Sequence, residues 1–283
     1  MAAEERSLVQ EKLMTCVALM LCAVAFADET GTARGNNPVA EVHRNSVDMV
    51  LRPVSAGTFT MGAPPAESGK RTDERPRQAT ITRGFLISET EVTQQQWTAV
   101  MKTVPWRGRR SVKTGPHYPV AYVNWTDAMA FCRKLSQREN RVYRLPTEAE
   151  WERACRADTQ TAYSFGPDAD ELPGHAFCKA NTMAVGAVHA HPVARKLPNA
   201  LGLHDMHGNQ WEWCADWYTR QPAGTVDPTG PAEGVQRVIR GGSWHCSAEL
   251  CRSATRFYRD PAMATSDVGF RVVLELPPAG SSD

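Results

Sequence analysis

Residues 202–213 read GLHDMHGNQWEW and lie within an irregular, aromatic-rich second half of the chain. This stretch places Trp211 and Trp213 directly after a run of residues that form turns. From residue 157 onward Gly, Pro, Asn and Asp are dense, large aromatic residues recur, and helical periodicity is nearly absent. Because buried backbone groups need partners, we expect side-chain hydrogen bonds, disulfides or bound cations to hold this irregular region.

Three helices are predicted before residue 157. Thr93 opens a capping-box pattern with Gln96, and apolar residues follow it at helical spacing. Thr126 is the candidate N-cap of the second helix. The third signal is the clearest, because Thr147 and Glu150 form a T-x-x-E box. We expect Trp151, Ala154 and Cys155 to face inward from this third helix.

Short strand-like runs lie near both ends of the mature chain, at 49–51, 58–61, 238–239 and 268–273. No internal repeat or break in composition divides the region between them. The sequence therefore predicts one α+β domain over residues 47–277, followed by a short tail at 278–283.

The N-terminus resembles a secretory leader. Residues 13–27 are apolar and end in Ala-Phe-Ala, which is typical of a signal peptide spanning residues 1–27. An uncleaved anchor is the alternative. The polar stretch 28–46 is predicted to be a linker. We therefore expect an exported protein, periplasmic or secreted, without stable membrane insertion after cleavage.

Composition excludes several classes of protein. The chain has 283 residues, and its 32 Lys and Arg nearly balance 31 Asp and Glu, giving a formal charge of +1. This balance provides no general electrostatic basis for binding nucleic acid, which needs an excess of basic groups. A hydrophobic content of 42% also argues against disorder. Neither a P-loop nor a G-x-S-x-G elbow occurs, so nucleotide hydrolysis and serine hydrolase chemistry have no basis.

Six cysteines remain after removal of the leader: Cys132, Cys155, Cys178, Cys214, Cys246 and Cys251. In an oxidising compartment they would usually pair, although sequence does not reveal the connectivity. No C-x-x-C motif supports a zinc ribbon. Cys132 lies on an apolar helix stripe and is expected to be buried or in a structural disulfide. Cys178 and Cys214 are candidates for a bridge.

Four motifs together point to a known family. They are YRLPTEAEWE at 143–152, GLHDMHGNQWEW at 202–213, RGGSW at 240–244 and GFR at 269–271. In this order and at these spacings they resemble the formylglycine-generating enzyme (sulfatase-modifying factor) family, over nearly all of residues 47–277. The resemblance implies a complex C-type-lectin-like fold with little regular secondary structure.

The resemblance also implies an activity. Formylglycine generators carry two cysteines separated by four residues, bind copper(I) with them, and use dioxygen to oxidise a cysteine of a peptide or protein substrate. Cys246 and Cys251 align with that pair, and Ser243 and Trp211 match residues that line the family's active site. Thiolates are soft ligands that favour Cu(I), so this chemistry suits the residue types.

This chain departs from the generators near the cysteine pair. Arg256 stands where they carry another cysteine, and Asp267 stands where they carry an asparagine. A purely structural role for the cysteines is therefore the competing hypothesis. In that hypothesis Cys251 forms a disulfide with Cys155, and Cys246 is left free or paired elsewhere.

The family also implies calcium sites. The residues that match the first site are Asp205, Gly208, Gln210 and Glu212, with the acidic side chains and two backbone carbonyls as ligands. Calcium prefers six to eight oxygen ligands from a loop, which the Gly208-Asn209 turn favours. A second site would begin at Asn181 and Thr182, although the stretch that follows lacks the family's acidic ligand.

Three functions remain open from the sequence. The first is an exported oxidase that uses copper and dioxygen to oxidise a residue of a peptide or protein substrate. The second is a non-catalytic, calcium-stabilised binding module of the same fold. The third is a periplasmic oxidase of the pyoverdine-maturation type, since family membership alone does not fix the reaction.

Overall fold

The computed structural model describes residues 41–277. The predicted signal peptide at 1–27 and the predicted tail at 278–283 lie outside these described residues. The strands are β1 His43–Arg44, β2 Val50–Val54, β3 Gly57–Met61, β4 Arg77–Ile81, β5 Phe85–Ser88, β6 Tyr143–Arg144, β7 Trp211–Trp217, β8 Arg237–Arg240, β9 Arg256–Arg259, β10 Val268–Gly269 and β11 Val273–Glu275. The first of them falls within the segment predicted to be a linker.

The strands form three sheets. The largest has the order β1-β2-β5-β11-β6 with every pair antiparallel. The second has the order β10-β7-β8-β9, in which only β10 and β7 run parallel. The third is the hairpin of β3 and β4. The run 268–273, predicted as one strand, divides between the first two sheets.

The helices are α1 Gln94–Met101, α2 Trp125–Glu139, α3 Glu148–Arg156, and the single turns α4 Leu172–His175 and α5 Lys179–Thr182. The capping boxes predicted at Thr93 and Thr147 are confirmed. The N-cap predicted at Thr126 is wrong. Asn124 caps α2 instead. Its side-chain oxygen accepts a hydrogen bond from the Asp127 amide at 2.8 Å, and the Asp127 carboxylate accepts one from the Asn124 amide at 3.1 Å.

The core follows the predicted inward faces. Trp151, Ala154 and Cys155 on α3 are fully buried, as predicted. Trp97 stacks on Phe131 of α2 with ring centroids 5.8 Å apart, and Phe270 meets Phe131 edge-on at 5.4 Å. The segment between β10 and β11 is therefore anchored in the core.

Side-chain hydrogen bonds hold the irregular second half, which is one of the three means predicted for it. The Asn199 amide donates to two carbonyls at the end of α3, those of Ala154 and Cys155, at 2.8 and 3.1 Å. Its oxygen accepts the backbone amides of Leu201 and Leu203 at 3.0 Å. One side chain thus replaces four backbone partners that a helix or strand would supply.

Between residues 41 and 277, no helix is long and apolar enough to cross a membrane.

Candidate active site around Cys246 and Cys251

The cysteine pair follows the end of β8. After Arg240 the chain turns through Gly241 and Gly242, whose φ angles of 98° and 81° favour glycine. A Cβ atom on Gly242 would lie 2.6 Å from the Cys251 sulfur. The Gly-Gly sequence is therefore needed both for the turn and for the close approach of the second cysteine.

A buried ionic cluster fixes this turn to α3. Arg240 is fully buried and pairs with Glu152, which also accepts from Arg156 at 2.8 Å. Arg256 of β9 pairs with Glu148 through two hydrogen bonds of 2.6 and 2.9 Å. Buried charges are tolerated when they are paired and hydrogen-bonded in this way. Arg256, which replaces a family cysteine, therefore has a structural role here.

Cys246 is the more accessible of the two cysteines, with 6% of its surface exposed. Its sulfur lies 3.3 Å from the Ser243 hydroxyl oxygen. Burial raises the pKa of the Cys246 thiol, whereas hydrogen bonds from Ser243 and Trp211 lower it. The predicted residues Ser243, Trp211 and Cys246 therefore do come together.

Cys251, unlike Cys246, is fully buried. Burial, with a further contribution from the neighbouring Cys246 and Cys178 sulfurs, raises the pKa of Cys251 well above its ordinary value. Such a thiol stays protonated at neutral pH unless a cation stabilises its thiolate. Two adjacent free thiols, one of them reachable, fit the donor set that copper(I) prefers.

The disulfides considered from the sequence are not formed in the structure. The six cysteines between residues 41 and 277 are all free thiols, including Cys178 and Cys214. The Cys155 sulfur packs 3.8 Å from Nε2 of His207. Nδ1 of His207 in turn lies 2.8 Å from the Cys251 carbonyl. His207 therefore contacts both segments that a Cys155–Cys251 bridge would join.

His207 is itself a buried structural residue. Nε2 accepts from the Ser164 amide at 3.1 Å, so Nδ1 carries the proton and donates to the Cys251 carbonyl. Burial lowers the pKa of His207 to about 4, and the ring is neutral at pH 7.

Sequence reasoning did not assign a role to His245, which also borders the site. Nδ1 of His245 lies 3.0 Å from the Ser243 hydroxyl, and Nε2 lies 3.8 Å from the Asp267 carboxylate. Asp267 also accepts from Arg259 at 3.1 Å. The only sequence signal was the position of His245 between the Gly-Gly-Ser turn and Cys246. The aspartate at 267 thus has two basic neighbours beside the cysteine pair.

The loop predicted to bind calcium fits that ion in part. Oδ2 of Asp205 accepts from the Ala194 amide at 2.8 Å, but Oδ1 is buried without a partner. The Glu91 carboxylate also has one buried oxygen without a partner. Burial raises the pKa of both carboxyls, and the charges of Asp205 and Glu212 raise that of Glu91 further. A divalent cation beside Asp205 would offset this unfavourable burial of negative charge.

Glu212 does not fit as a calcium ligand. Arg271 donates to both of its carboxylate oxygens at 2.7 Å, and the Trp151 indole donates to one of them at 2.7 Å. Glycine is required at position 208 by packing and not by calcium, since a Cβ there would lie 2.4 Å from the Phe177 carbonyl oxygen. The Gln210 side-chain oxygen is buried without a partner.

The second predicted calcium position is occupied by hydrogen bonds of the protein itself. The Asn181 side chain accepts from the Cys178 amide at 2.9 Å and donates to the Ala176 carbonyl at 2.8 Å. The Thr182 hydroxyl donates to the carbonyls of Cys178 and Trp244. These residues therefore do not fit a calcium site. Within residues 41–277, no three His, Cys, Asp or Glu side chains converge as a metal site.

Comparison with known proteins agrees with this arrangement. The sulfatase-modifying factor enzyme 1-like domain matches residues 36–276. The formylglycine-generating enzyme of Streptomyces coelicolor is 39% identical over 198 residues, covering 62% of this chain and 60% of the enzyme. The chain therefore spans about 60% of the length of that curated relative.

Two solved structures share the fold. Variable protein 1 of Treponema denticola has a TM-score of 0.74 at 31% identity, covering 84% of this chain and 100% of its own. PvdO from Pseudomonas aeruginosa has a TM-score of 0.75 at 26% identity, covering 83% and 98%. The predicted α+β, C-type-lectin-like fold with little regular secondary structure is confirmed. This chain belongs to the sulfatase-modifying factor family, the family of the formylglycine-generating enzymes.

Proposed function

We propose that this protein is an exported oxidase that binds copper(I) with Cys246 and Cys251 and uses dioxygen to oxidise a cysteine of a peptide or protein substrate. The observation that carries the proposal is the adjacency of two free thiols next to Ser243 and Trp211. Family membership supports an oxidase of this general kind.

The residues have distinct roles in this proposal. Cys251, fully buried, is the inner ligand, and Cys246, which is slightly exposed, faces the substrate. Ser243 and Trp211 donate hydrogen bonds that stabilise a thiolate at Cys246. Bound copper supplies the one-electron chemistry that dioxygen requires.

The balance of the reaction defines what an assay must contain. Conversion of a cysteine side chain and one water to an aldehyde and hydrogen sulfide releases two electrons and two protons, while reduction of one dioxygen to two waters consumes four of each. The other two electrons must come from a thiol reductant, which is oxidised to a disulfide. We expect a Cys-x-Pro-x-Arg peptide to yield an aldehyde only when copper, dioxygen and a reducing thiol are all present.

Copper binding is tested before activity. Reduced protein is titrated with Cu(I) against a chromophoric chelator, and we expect one equivalent to bind. Cys246→Ser and Cys251→Ser should each abolish tight binding, whereas Cys132→Ser, which removes a buried thiol on α2, should leave it intact. Equal loss of binding in all three variants, or a Cys155–Cys251 disulfide in the native protein, would contradict the proposal.

The alternative is a non-catalytic binding module of the same fold. The loop at Asp205, which fits a calcium ion in part, favours this alternative. A cation bound at Oδ1 of Asp205, which has no hydrogen-bond partner, would stabilise the fold without any redox chemistry. We propose calcium here with Asp205, not Glu212, as the acidic ligand. Added calcium should raise the melting temperature of the wild type but not of Asp205→Asn. Calcium stabilisation without copper binding would support the module.

A chromophore-oxidising enzyme of the pyoverdine-maturation type is the third candidate, which the sequence motifs left open. It predicts that a cysteine-containing peptide yields no aldehyde, because a chromophore and not a protein cysteine is then the substrate. Export is tested separately, by sequencing the N-terminus of protein recovered from the periplasm, where cleavage after Ala27 is expected.

A further inference from the structure

The segment Lys102–Lys113, called here the basic loop, concentrates positive charge that no carboxylate neutralises within residues 41–277. It carries five cations: Lys102, Arg107, Arg109, Arg110 and Lys113. No Asp or Glu occurs between Glu91 and Asp127. All five side chains are exposed. On a chain whose formal charge is +1, this local excess stands out as a distinct surface.

The basic loop is an ordered structure. Its centre, Trp106, is only 3% exposed and packs in the core. Two successive turns surround that anchor, in which the Arg107 amide donates to Val104 and the Arg109 amide donates to Trp106, both at 3.1 Å. The Arg109 guanidinium lies 5.4 Å from the centre of the Tyr122 ring, and the Tyr122 hydroxyl donates to the Arg110 carbonyl at 2.8 Å. The backbone therefore holds the arginines close together at the surface.

None of the five cations forms an ion pair with a carboxylate in the part of the chain that the structure describes. Several arginines elsewhere do form such pairs: Arg52 pairs with Glu89 and Arg144 pairs with Glu150, each at 2.7 Å. Like charges at such density repel one another, and an acidic partner would relieve that repulsion.

Backbone hydrogen bonds link the basic loop to the segment beside the cysteine pair. The Tyr122 amide, beneath Arg109, donates to the Thr265 carbonyl at 2.8 Å. Two residues later, the Asp267 carbonyl accepts from the Trp211 amide at 2.9 Å, and its carboxylate faces His245. A substrate chain bound at Cys246 that followed this series of contacts would run toward the arginines.

We propose that the basic loop is a docking surface for an acidic stretch of the protein substrate. The assignment rests on the proposed function in that it takes the docked partner to be the substrate. Charge complementarity selects this occupant, since electrostatic attraction speeds and orients encounter. A membrane suits the loop less well, because none of the exposed large apolar side chains between residues 41 and 277 lies within it. A single-stranded nucleic acid would need exposed aromatic faces for stacking, and Trp106 is buried.

A binding assay without copper tests the surface independently of catalysis. Fluorescein-labelled decaglutamate is titrated with the protein at low salt and followed by fluorescence anisotropy. The variant Arg107→Gln/Arg109→Gln/Arg110→Gln should bind at least about tenfold more weakly and show a shallower salt dependence. The control Arg75→Gln/Arg195→Gln/Arg220→Gln removes three exposed cations elsewhere and should bind like the wild type.

The proposal is overturned if decaglutamate does not bind, or if both triple variants lose affinity equally, since only net charge would then matter. It is also overturned if oligothymidylate or phosphatidylglycerol vesicles bind through the loop arginines more tightly than decaglutamate does.

A second assay compares Cys-x-Pro-x-Arg peptides with and without a Glu-rich tail. A loop-dependent gain in kcat/KM for the tailed peptide supports the proposal. If decaglutamate binds but no aldehyde forms, the docking surface stands and the proposed reaction is rejected. If aldehyde forms but decaglutamate does not bind, the reaction stands and the docking surface is rejected.

Discussion

The buried pair of Arg271 and Glu212 offers the most direct test of how this fold is held together. Arg271, from the closing GFR motif, donates to both oxygens of Glu212 in β7 at 2.7 Å, and both side chains are fully buried. The same guanidinium donates to the carbonyls of Ser88 and His204 at 3.0 and 2.9 Å. Arg271 thus ties together the two larger sheets and the irregular loop.

Replacing Arg271 by methionine keeps an unbranched apolar stem but removes the guanidinium group, which leaves a buried carboxylate without its cation. Removing one partner of a buried ion pair costs about 3–5 kcal/mol. The two carbonyls that lose their donor push the expected loss toward the upper end of that range. Because a domain is stabilised by only about 5–15 kcal/mol, Arg271→Met should remove a large part of the free energy of unfolding.

Urea unfolding followed by tryptophan fluorescence measures this loss, with EDTA present so that loss of a metal does not contribute. The matched control is Arg52→Met, since Arg52 and Glu89 form a partly exposed pair with side chains 33% and 20% accessible. That control should cost less than about 1 kcal/mol. Adding Glu212→Gln to Arg271→Met should recover about 1–3 kcal/mol. If Arg271→Met is no more destabilising than Arg52→Met, the reasoning is wrong.

Three further predictions concern the site and its support. Ser243→Ala removes a hydrogen bond that lowers the pKa of Cys246, so iodoacetamide should alkylate that thiol more slowly at pH 8 than it does in the wild type. An unchanged rate would contradict the assigned contact. Gly242→Ala places a Cβ 2.6 Å from the Cys251 sulfur at a φ of 81°, so unfolding by urea should show a loss of about 2 kcal/mol or more, and Cu(I) titration a weaker site. Asp216 has its pKa raised to about 7 by burial and by Glu148, from an ordinary 3.8. The folded state therefore keeps a proton that the unfolded state has released, and the stability of the wild type relative to Asp216→Asn should fall as pH rises from about 4 to 7 in urea titrations.

Local signals were predicted well because their atoms lie close in sequence. The capping boxes at Thr93 and Thr147 need residues only three positions apart, and both are present. Thr126 shows the limit of such reasoning, since Asn124 also has a capping side chain. The Trp125 amide donates to the Pro261 carbonyl, and the Trp125 indole donates to the Cys214 carbonyl. Those distant contacts are consistent with the helix beginning at Trp125, with Asn124 as its cap.

The residues around the cysteines show the same division. The sequence alone determined the α+β fold, the family, and the adjacency of Ser243, Cys246 and Cys251, because these rest on motifs of a few residues each. The contacts of Glu212 with Arg271, of His245 with Asp267 and of Cys155 with His207 could not be predicted from these motifs and follow from the packing of the chain. The parallel pairing of β10 with β7, for example, brings the GFR motif beside the strand that carries Glu212. Side chains far apart in the chain meet only where backbone hydrogen bonds and burial place them, and no local pattern encodes that meeting.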